Sequence, residues 1–242
     1  MSLCAARHDR AMSDPTPETA PAPSVPDLEA DTAIGVLGGT GEQGRGLGRR
    51  LALAGHPVVL GSRDRERATS AAAALGVTGV TGGTNAEAAG CPIVIVAVPY
   101  AGHRELLESL RAELAGKLVI DCVNPLGFDK QGAFALEVPE GSAAQEAAAA
   151  LPDSQVAAAF HHVSAVLLLD EGIESFETDV LVLGEDRGVT DVVQQLVERI
   201  PGMRGVYAGR LRNARQVEAL TANLISVNRR YKAHAGIRVT DI

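Results

Sequence analysis

A glycine-rich string at residues 38–44 limits what this chain can fold into more than any other feature of the sequence. The apolar run at residues 33–37 comes directly before it and predicts a buried strand. Residues 45–54 follow with the apolar spacing of a helix. The string contains the pattern G-x-G-x-x-G, which is weak alone but specific between a strand and a helix. It predicts a loop that binds the pyrophosphate of a dinucleotide.

Each glycine of the pattern has a separate physical task. Gly39 permits the tight turn, Gly41 lets the backbone approach the pyrophosphate, and Gly44 allows the helix to pack closely on the strand. The helix N-terminus then offers free amide groups and the positive end of the helix dipole. The predicted cofactor-binding residues of this loop are Gly39, Thr40, Gly41, Glu42, Gln43 and Gly44. The alternative interpretation is an ordinary glycine-rich turn.

Strand and helix patterns alternate through the middle of the chain, which predicts an α/β fold with a Rossmann-type doubly wound parallel sheet. Apolar residues make up 46% of the sequence and aromatic residues 3%, with no Trp. Small aliphatic side chains must therefore fill the core, as is typical of helices on a parallel sheet. A long pattern at residues 215–232 predicts a closing helix, and with it a small C-terminal helical segment.

The domain organisation follows from changes in composition. Residues 1–31 are predicted to be a disordered N-terminal tail, because the stretch from Ser13 to Glu29 is rich in Pro, Thr, Ala and acidic residues. Residues 32–185 are predicted to form the dinucleotide-binding domain. Residues 186–242 are predicted to form a small C-terminal domain that closes the cleft.

The residues after the second predicted strand favour NADP over NAD. An NAD site usually has an acid there for the ribose 2′-hydroxyl. Here Ser62 and Arg63 come first, and Arg67 lies one helical turn further on, so a hydroxyl and guanidinium groups are available for a 2′-phosphate. Asp64 stands near the position of an NAD acid, but we expect it to cap the next helix. The alternative for the arginines is a solvated run of charges.

Charge and composition exclude other classes of function. The formal net charge of −8 and the scarcity of aromatic residues argue against nucleic-acid binding. No apolar run is long enough for a membrane span. Three widely spaced cysteines suggest neither a disulfide framework nor a metal site, and a reducing cytoplasm is the simplest setting. Small-molecule cofactors are therefore the expected partners.

Several stretches of the sequence resemble a known family, the NADPH-dependent reductases of coenzyme F420, a deazaflavin. The resemblance covers about residues 33–242, and its C-terminal stretch is the more specific part. The stretches that carry it are Ile34 to Gly44, Leu60 to Arg63, Val98 to Tyr100, Asn124 to Leu126, Ala159 to Val163 and Asn228 to Ile237. It implies reversible hydride transfer between NADPH and the deazaflavin. Separately, we expect a homodimer that forms through the C-terminal helices.

The resemblance also implies roles for individual residues. Thr40, Ser62, Arg63 and Arg67 match the family's NADP contacts, and His161 and Ala165 match positions at the junction of the two rings. The remaining residues expected to bind cofactor are Val98, Pro99, Tyr100 and Ala235. The sequence departs from some members at Ser164, where they have Pro.

His161 and His162 are the candidate catalytic residues. Reduction of a deazaflavin takes up a proton, and an imidazole titrates near neutral pH, so either residue is a candidate hydrogen-bond donor to that ring. The alternative is a structural histidine that is bound to the backbone. His103 is expected at a helix start near the cofactor, and Cys122 is expected to be a packing residue.

The densest basic cluster of the C-terminal part is formed by Arg229, Arg230 and Lys232. Some relatives lack it, so the resemblance does not fix its role. Because the tail of the deazaflavin coenzyme is anionic, we expect these residues to bind that tail. The alternative is a solvated helix end whose cations complement the helix dipole. Two alternative functions stay open. One is NADPH-dependent reduction of another acceptor, an imine or ferric iron, and the other is non-catalytic sensing of NADPH.

Overall fold

The computed structural model describes Pro26 and residues 28–242. Most of the predicted N-terminal tail therefore lies outside the described residues. Its last part differs from the expectation, because Leu28 packs against the hydrophobic core and the backbone NH of Glu29 donates to Oγ1 of Thr32 (2.8 Å). Residues 28–31 thus form an ordered entry into the domain.

One eight-stranded sheet organises the molecule. Its strands are β1 (Ile34–Leu37), β2 (Val58–Ser62), β3 (Val80–Thr84), β4 (Ile93–Val96), β5 (Leu118–Asp121), β8 (Gln155–Ala158), β9 (Thr178–Gly184) and β10 (Met203–Gly209). The order across the sheet is β10-β9-β8-β5-β4-β1-β2-β3. The first six strands of the chain in this sheet run parallel, whereas β9 is antiparallel to β8. This is a Rossmann-type doubly wound sheet, as predicted.

Helices cover both faces of the sheet. They are α1 (Glu42–Leu53), α2 (Arg65–Ala74), α3 (Asn85–Ala89), α4 (His103–Ser109), α5 (Arg111–Leu114), α6 (Ala143–Ala150), α7 (Ala165–Leu169), α8 (Arg187–Glu198) and α9 (Ala214–Tyr231). One hydrophobic cluster joins the sheet to α1, α2, α7 and α8, and a second joins it to α3, α4, α6 and α9. The core is built from Ala, Val, Leu and Ile almost throughout, as the composition predicts.

Local sequence rules account for many element boundaries. The β-branched sequence of β4, Ile-Val-Ile-Val, is buried along its whole length. The side chain of Asp186 accepts a hydrogen bond from the NH of Val189 and starts α8 (3.0 Å). Thr84 and Glu87 form a capping box at the start of α3.

Other elements differ from the sequence-based expectation. The third strand, expected at residues 77–80, forms at Val80–Thr84, where a Cβ atom at Gly82 would lie 2.2 Å from the backbone nitrogen of Thr69. The glycine therefore lets α2 approach the strand. The hairpin of β6 (Leu126–Asp129) and β7 (Gly132–Ala135) was not expected, nor was β10.

The C-terminal part contains more than a helix. The predicted domain boundary at residue 185 falls after β9, yet β10 lies beyond that boundary and pairs with β9. One sheet thus includes strands from both predicted domains. After β10, α9 contacts the segments that follow β5 and β8, where Oγ1 of Thr221 lies within hydrogen-bond distance of Asn124 and of the carbonyl oxygen of His161. Among the described residues, no helix has the length and apolarity needed to cross a membrane.

Candidate cofactor site

The glycine string forms a tight loop between β1 and α1. Gly38 has φ of +69°, a conformation that side chains disfavour. A Cβ atom at Gly39 would lie 2.9 Å from Cα of Leu60, and one at Gly44 would lie 2.8 Å from Cα of Gly39. These two glycines therefore allow the loop to lie against β2 and α1 to lie against the loop.

The N-terminus of α1 has no side-chain cap among the described residues, because Gly41 is its N-cap residue. A Cβ atom at Gly41 would meet only the carbonyl oxygen of Gly38, at 3.5 Å, so the space above it is open. Thr40 is half-buried and Glu42 is exposed at this opening. The uncapped amides fit an anionic pyrophosphate. Gln43 instead turns inward, and its amide nitrogen donates to the carbonyl oxygen of Phe160 (3.3 Å).

At the end of β2, the prediction that Asp64 is a helix cap is confirmed. Its Oδ1 atom accepts hydrogen bonds from the NH groups of Glu66 (2.9 Å) and Arg67 (3.2 Å), at the start of α2. Ser62 is buried, and its hydroxyl oxygen accepts from the NH of Asp64 (3.2 Å). The carboxylate of Asp64 is therefore already hydrogen-bonded to backbone NH groups of α2.

Arg63 and Arg67 are exposed beside this cap, and within the described chain neither forms an ion pair with a carboxylate. Arg65, by contrast, is bound to Glu87 (2.6 Å). Cations at a helix N-terminus oppose the helix dipole. Two free guanidinium groups at this end of α2 are thus suited to an external anion.

The segment after β4 borders the glycine loop. A Cβ atom at Gly38 would lie 2.6 Å from Cγ1 of Val98, so Val98 is in close contact with the loop. Pro99 is exposed, and Tyr100 is half-buried with its hydroxyl donating to Glu146 (3.5 Å). Burial and the neighbouring carboxylate of Glu146 raise the pKa of Tyr100 above its usual value.

His161 and His162 follow β8 and are both buried. Burial lowers the pKa of His161 to about 4, so its ring is neutral at physiological pH. Nε2 of His162 lies 2.7 Å from the carbonyl oxygen of Asp179. Because a carbonyl only accepts, Nε2 of His162 carries the hydrogen. Burial lowers the pKa of His162 as well.

Ala165 begins α7, three residues after His162. Ser164 is the N-cap residue, and its hydroxyl accepts from the NH of Leu167 (3.5 Å). The C-terminal end of α7 is held by Arg50 of α1, whose guanidinium donates to the carbonyl oxygens of Leu167 (2.7 Å) and Leu168 (2.9 Å). The same group donates to the carbonyl oxygens of the following loop, at Asp170 (3.2 Å) and Glu174 (3.1 Å).

The predicted basic cluster lies at the C-terminal end of α9. Arg229 and Arg230 line a cavity of about 550 Å³ between α9 and the β6–β7 hairpin. Its other lining residues are Phe128, Asp129, Gln131, Gly132, Ala133, Ile225 and Ser226. Lys232 ends the helix with φ of +53°, and it does not line the cavity. The NH of Ala235 donates to Oδ1 of Asn228 (2.6 Å).

The structure adds polar residues that the sequence reasoning did not identify as a group. His103 is fully buried, with Nε2 at 2.6 Å from Oδ2 of Asp121 and Nδ1 at 2.8 Å from Oε1 of Glu146. Burial alone would lower the pKa of His103, but the two carboxylates raise it to about 9. Glu218 of α9 accepts from the first two NH groups of α6, and burial raises its pKa to about 7.

Two more polar residues bind the backbone beside the histidines. Nδ2 of Asn124 (2.7 Å) and Oγ1 of Thr221 (3.0 Å) both donate to the carbonyl oxygen of His161. Cys122 donates its thiol to the carbonyl oxygen of Val96, and burial raises its pKa, as befits a packing residue. Within the described part of the chain, no group of three or more His, Cys, Asp or Glu residues is arranged to hold a metal ion.

The doubly wound sheet, the uncapped glycine loop and the free arginines after β2 define a dinucleotide-binding protein of the Rossmann type. The family model for coenzyme F420-dependent NADP oxidoreductases matches residues 33–125. The chain is 40% identical over 221 residues to the F420-dependent NADP reductase of Methanothermobacter marburgensis, covering 86% of this chain and 98% of that protein. The chain belongs to the F420-dependent NADP reductase family.

Two further comparisons agree with this assignment. The F420-dependent NADP reductase of Methanocaldococcus jannaschii is 34% identical over 222 residues, covering 86% of this chain and 98% of that protein. The crystal structure of a candidate F420-dependent NADP reductase from Arthrobacter sp. FB24 superposes with a TM-score of 0.75 at 23% identity. It covers 87% of this chain and all of that chain, and it supports the fold.

Proposed function

We propose that this protein transfers a hydride reversibly between NADPH and coenzyme F420. The observation that carries the proposal is the match to F420-dependent NADP reductases over 98% of their length, since it includes the C-terminal part as well as the Rossmann sheet. NADPH, when bound, supplies the hydride from carbon 4 of its nicotinamide. The protein has to hold two flat rings in contact and exclude water.

The phosphate end of the cofactor is assigned to two neighbouring loops. The uncapped amides of the α1 N-terminus, with Thr40 and Gly41 at the opening, bind the pyrophosphate. Ser62, Arg63 and Arg67 bind the 2′-phosphate and select NADPH over NADH. Support for this assignment comes from the uncompensated charge of the two arginines and from the engagement of Asp64 as a helix cap.

The ring end is assigned to the segment after β8. His161 and Ala165 border the rings, and His161 acts as a neutral hydrogen-bond donor or acceptor, because burial keeps its pKa near 4. His162 holds its neighbour in place through the carbonyl oxygen of Asp179. Val98 to Tyr100 close the side that faces the glycine loop.

The anionic tail of the deazaflavin is assigned to Arg229 and Arg230. Their common cavity with the hairpin has room for a chain of phosphate and carboxylate groups. Lys232 adds positive charge at the helix end, and Ala235 is assigned to the same region through its hydrogen bond to Asn228 of α9. The double change Arg229→Ala and Arg230→Ala should raise KM for the full coenzyme, and more so at low salt. A deazaflavin without its tail should be nearly indifferent, and an equal loss with it would make the cluster structural.

A homodimer in the cytoplasm completes the proposal. Large apolar side chains are exposed on α9 and the hairpin, namely Val227, Tyr231, Phe128 and Phe134, and a second copy would cover such a surface. Cys91 and Cys122 are buried free thiols, which suits a reducing compartment. Sedimentation of the purified protein at several concentrations tests the dimer.

The direct test mixes purified protein with NADPH and oxidised coenzyme F420 and records both absorbance bands. We expect loss of NADPH with equal formation of reduced deazaflavin, and much slower reaction with NADH. The reverse reaction with NADP should also proceed. Turnover of NADPH with an imine or a ferric chelate, but none with the deazaflavin, would contradict the proposal. Binding of NADPH without turnover with any acceptor would favour a sensing module.

A further inference from the structure

A buried imidazole lies between two carboxylates, one at the end of β5 and one on α6. His103 has no exposed surface, and neither does the side chain of Asp121, while the side chain of Glu146 is 7% exposed. Carboxylate oxygens accept hydrogen bonds, so each of these two contacts requires a hydrogen on the facing ring nitrogen. The pair of contacts therefore calls for an imidazolium, in agreement with the pKa of about 9 for His103.

Asp121 connects this imidazolium to the loop at the carboxyl edge of the sheet. Its second oxygen, Oδ1, accepts from the NH of Val123 (3.0 Å). The next residue, Asn124, donates its side-chain amide to the carbonyl oxygen of His161 (2.7 Å). A chain of hydrogen bonds thus leads from His103 to the segment that carries the histidine pair.

Glu146 connects the same imidazolium to the closing helix. Glu146 lies on α6, whose first two NH groups, at Ala143 and Ala144, donate to the carboxylate of Glu218 on α9 (3.0 and 3.2 Å). One turn further along α9, Thr221 donates to the carbonyl oxygen of His161 (3.0 Å). The two series of hydrogen bonds therefore meet at the carbonyl oxygen of His161. Together they form a closed hydrogen-bond network through α4, β5, α6 and α9, which we call the circuit.

We propose that His103 is a positioning residue, whose imidazolium, by binding Asp121 and Glu146 together, fixes the loop at residues 122–125 and through it the backbone of His161. The expected effect on kcat rests on the proposed function, whereas the expected effect on amide hydrogen exchange does not. His103 does not touch the reacting rings, since it is enclosed by protein. It acts through the other members of the circuit.

His103→Gln and Glu146→Gln test the circuit from two positions. A glutamine at residue 103 carries no charge and does not reproduce the two-sided geometry of the ring. Glu146→Gln keeps an oxygen that accepts from Nδ1 of His103, so it is the milder change, and it decides the question if His103→Gln fails to fold. Glu105→Gln is the matched control, because Glu105 is an exposed acid on the same helix as His103.

Amide hydrogen exchange of the full chain without coenzyme is the first readout. Faster exchange by about tenfold or more is expected at residues 121–124 and 160–163 in His103→Gln, a smaller but measurable increase there in Glu146→Gln, and no change there in Glu105→Gln. Unchanged exchange at those residues in Glu146→Gln, and in His103→Gln if it folds, would overturn the proposal, even if the melting temperature fell. Such a result would leave His103 a merely structural residue.

Steady-state kinetics well below the melting temperature is the second readout. Displaced ring-binding groups lower the rate of a positioned hydride transfer, so kcat should fall by about ten- to a hundredfold. KM for NADPH should stay within about twofold, because the phosphate end is untouched. If the wild type does not oxidise NADPH with the deazaflavin at all, the proposed function fails, while the exchange experiment still decides the role of His103.

Discussion

The two ends of the proposed cofactor cleft are built in opposite ways. The phosphate end consists of residues that are close in sequence, at 38–44 and 62–67, and its cations are exposed. The ring end, after β8, is held by hydrogen bonds that involve residues far apart in the chain, such as His103, Glu146 and Glu218, whose side chains are buried. At the phosphate end, Arg63 has no carboxylate partner within the described chain, whereas His103 has two.

This difference distinguishes charges that can bind a ligand from charges that stabilise the fold. A charge left without a protein partner is available to a ligand, and its loss should change affinity while leaving the fold intact. A charge compensated inside the protein holds elements together, and its loss leaves partners unsatisfied in a low-dielectric interior. Variants at the ring end should therefore change stability most, and variants at the phosphate end should change cofactor selection.

The largest effect on stability is expected from Arg50→Met, which removes the clamp on α7. Four carbonyl oxygens would lose a charged donor, and the contact of the guanidinium with the ring of Phe176 would be lost as well. We expect a loss of about 4 kcal/mol in the free energy of unfolding, or roughly 10 °C in melting temperature. Calorimetry would measure it.

Arg187→Met is the control for Arg50→Met, because the Arg187 side chain is 95% exposed on α8. A melting temperature equal to that of the wild type in both variants would show that the clamp contributes nothing. It would also weaken the contrast between the two ends of the cleft.

A stability loss at alkaline pH is expected from His103. Its pKa of about 9 in the folded protein lies above the ordinary value of 6.5, so its stabilisation is complete below pH 6.5 and is lost as the pH rises through 9. The change amounts to about 3 kcal/mol. Urea denaturation at pH 7, 8 and 9 would measure it against His103→Gln, whose stability should vary less.

Glu218, with its pKa of about 7, titrates at the lower end of this window, in the wild type and in His103→Gln alike, so the comparison of the two proteins above pH 8 isolates His103. Burial raises the pKa values of Tyr100 and Cys122 above their usual values, away from this window. Asp121, Glu146 and Arg104 are the charged groups in or beside the cluster. Parallel stability curves for the wild type and His103→Gln would rule out an imidazolium.

Arg63→Ala should change cofactor selection without changing the fold. We expect kcat/KM for NADPH to fall by about ten- to a hundredfold, because a charged contact with the 2′-phosphate is lost, and kcat/KM for NADH to stay nearly the same. Arg65→Ala is the matched control, since Arg65, two residues further along, is already paired with Glu87 of α3. An equal loss with both cofactors would mean that Arg63 does not recognise the phosphate.

The smallest effect is expected from Asp64→Ala, which removes the cap of α2. The loss should be about 1 kcal/mol in the free energy of unfolding, and Asp64→Asn should retain most of the cap. Neither change should lower kcat/KM for NADH. A specific loss of NADH activity would show instead that Asp64 binds the ribose of an NAD-type cofactor.

Local sequence patterns were sufficient for the phosphate end. The glycine string, the strand before it, the helix after it and the cap at Asp64 depend on interactions within a few residues, so each leaves a pattern that can be recognised. The boundaries of an element differ from the predicted ones where packing against a neighbouring element decides them. The third strand forms around Gly82, whose lack of a side chain matters only because α2 lies against it.

The ring end could not be predicted in the same way. Nothing adjacent to His103 in the chain indicates that Asp121 and Glu146, 18 and 43 residues away, would enclose it. The β6–β7 hairpin and β10 were missed for a related reason. The hairpin strands have only four residues each, and pairing with a neighbouring strand is what defines them and β10.

The sequence by itself determined the Rossmann sheet, the dinucleotide loop and the resemblance to the F420-dependent reductases, because these depend on short-range periodicity and contiguous motifs. Only the tertiary structure decided which charges are free and which are compensated. Burial and long-range hydrogen bonds make His161 neutral and His103 charged, although both are histidines with the same intrinsic pKa. That distinction arises from the folded environment, which no local pattern encodes.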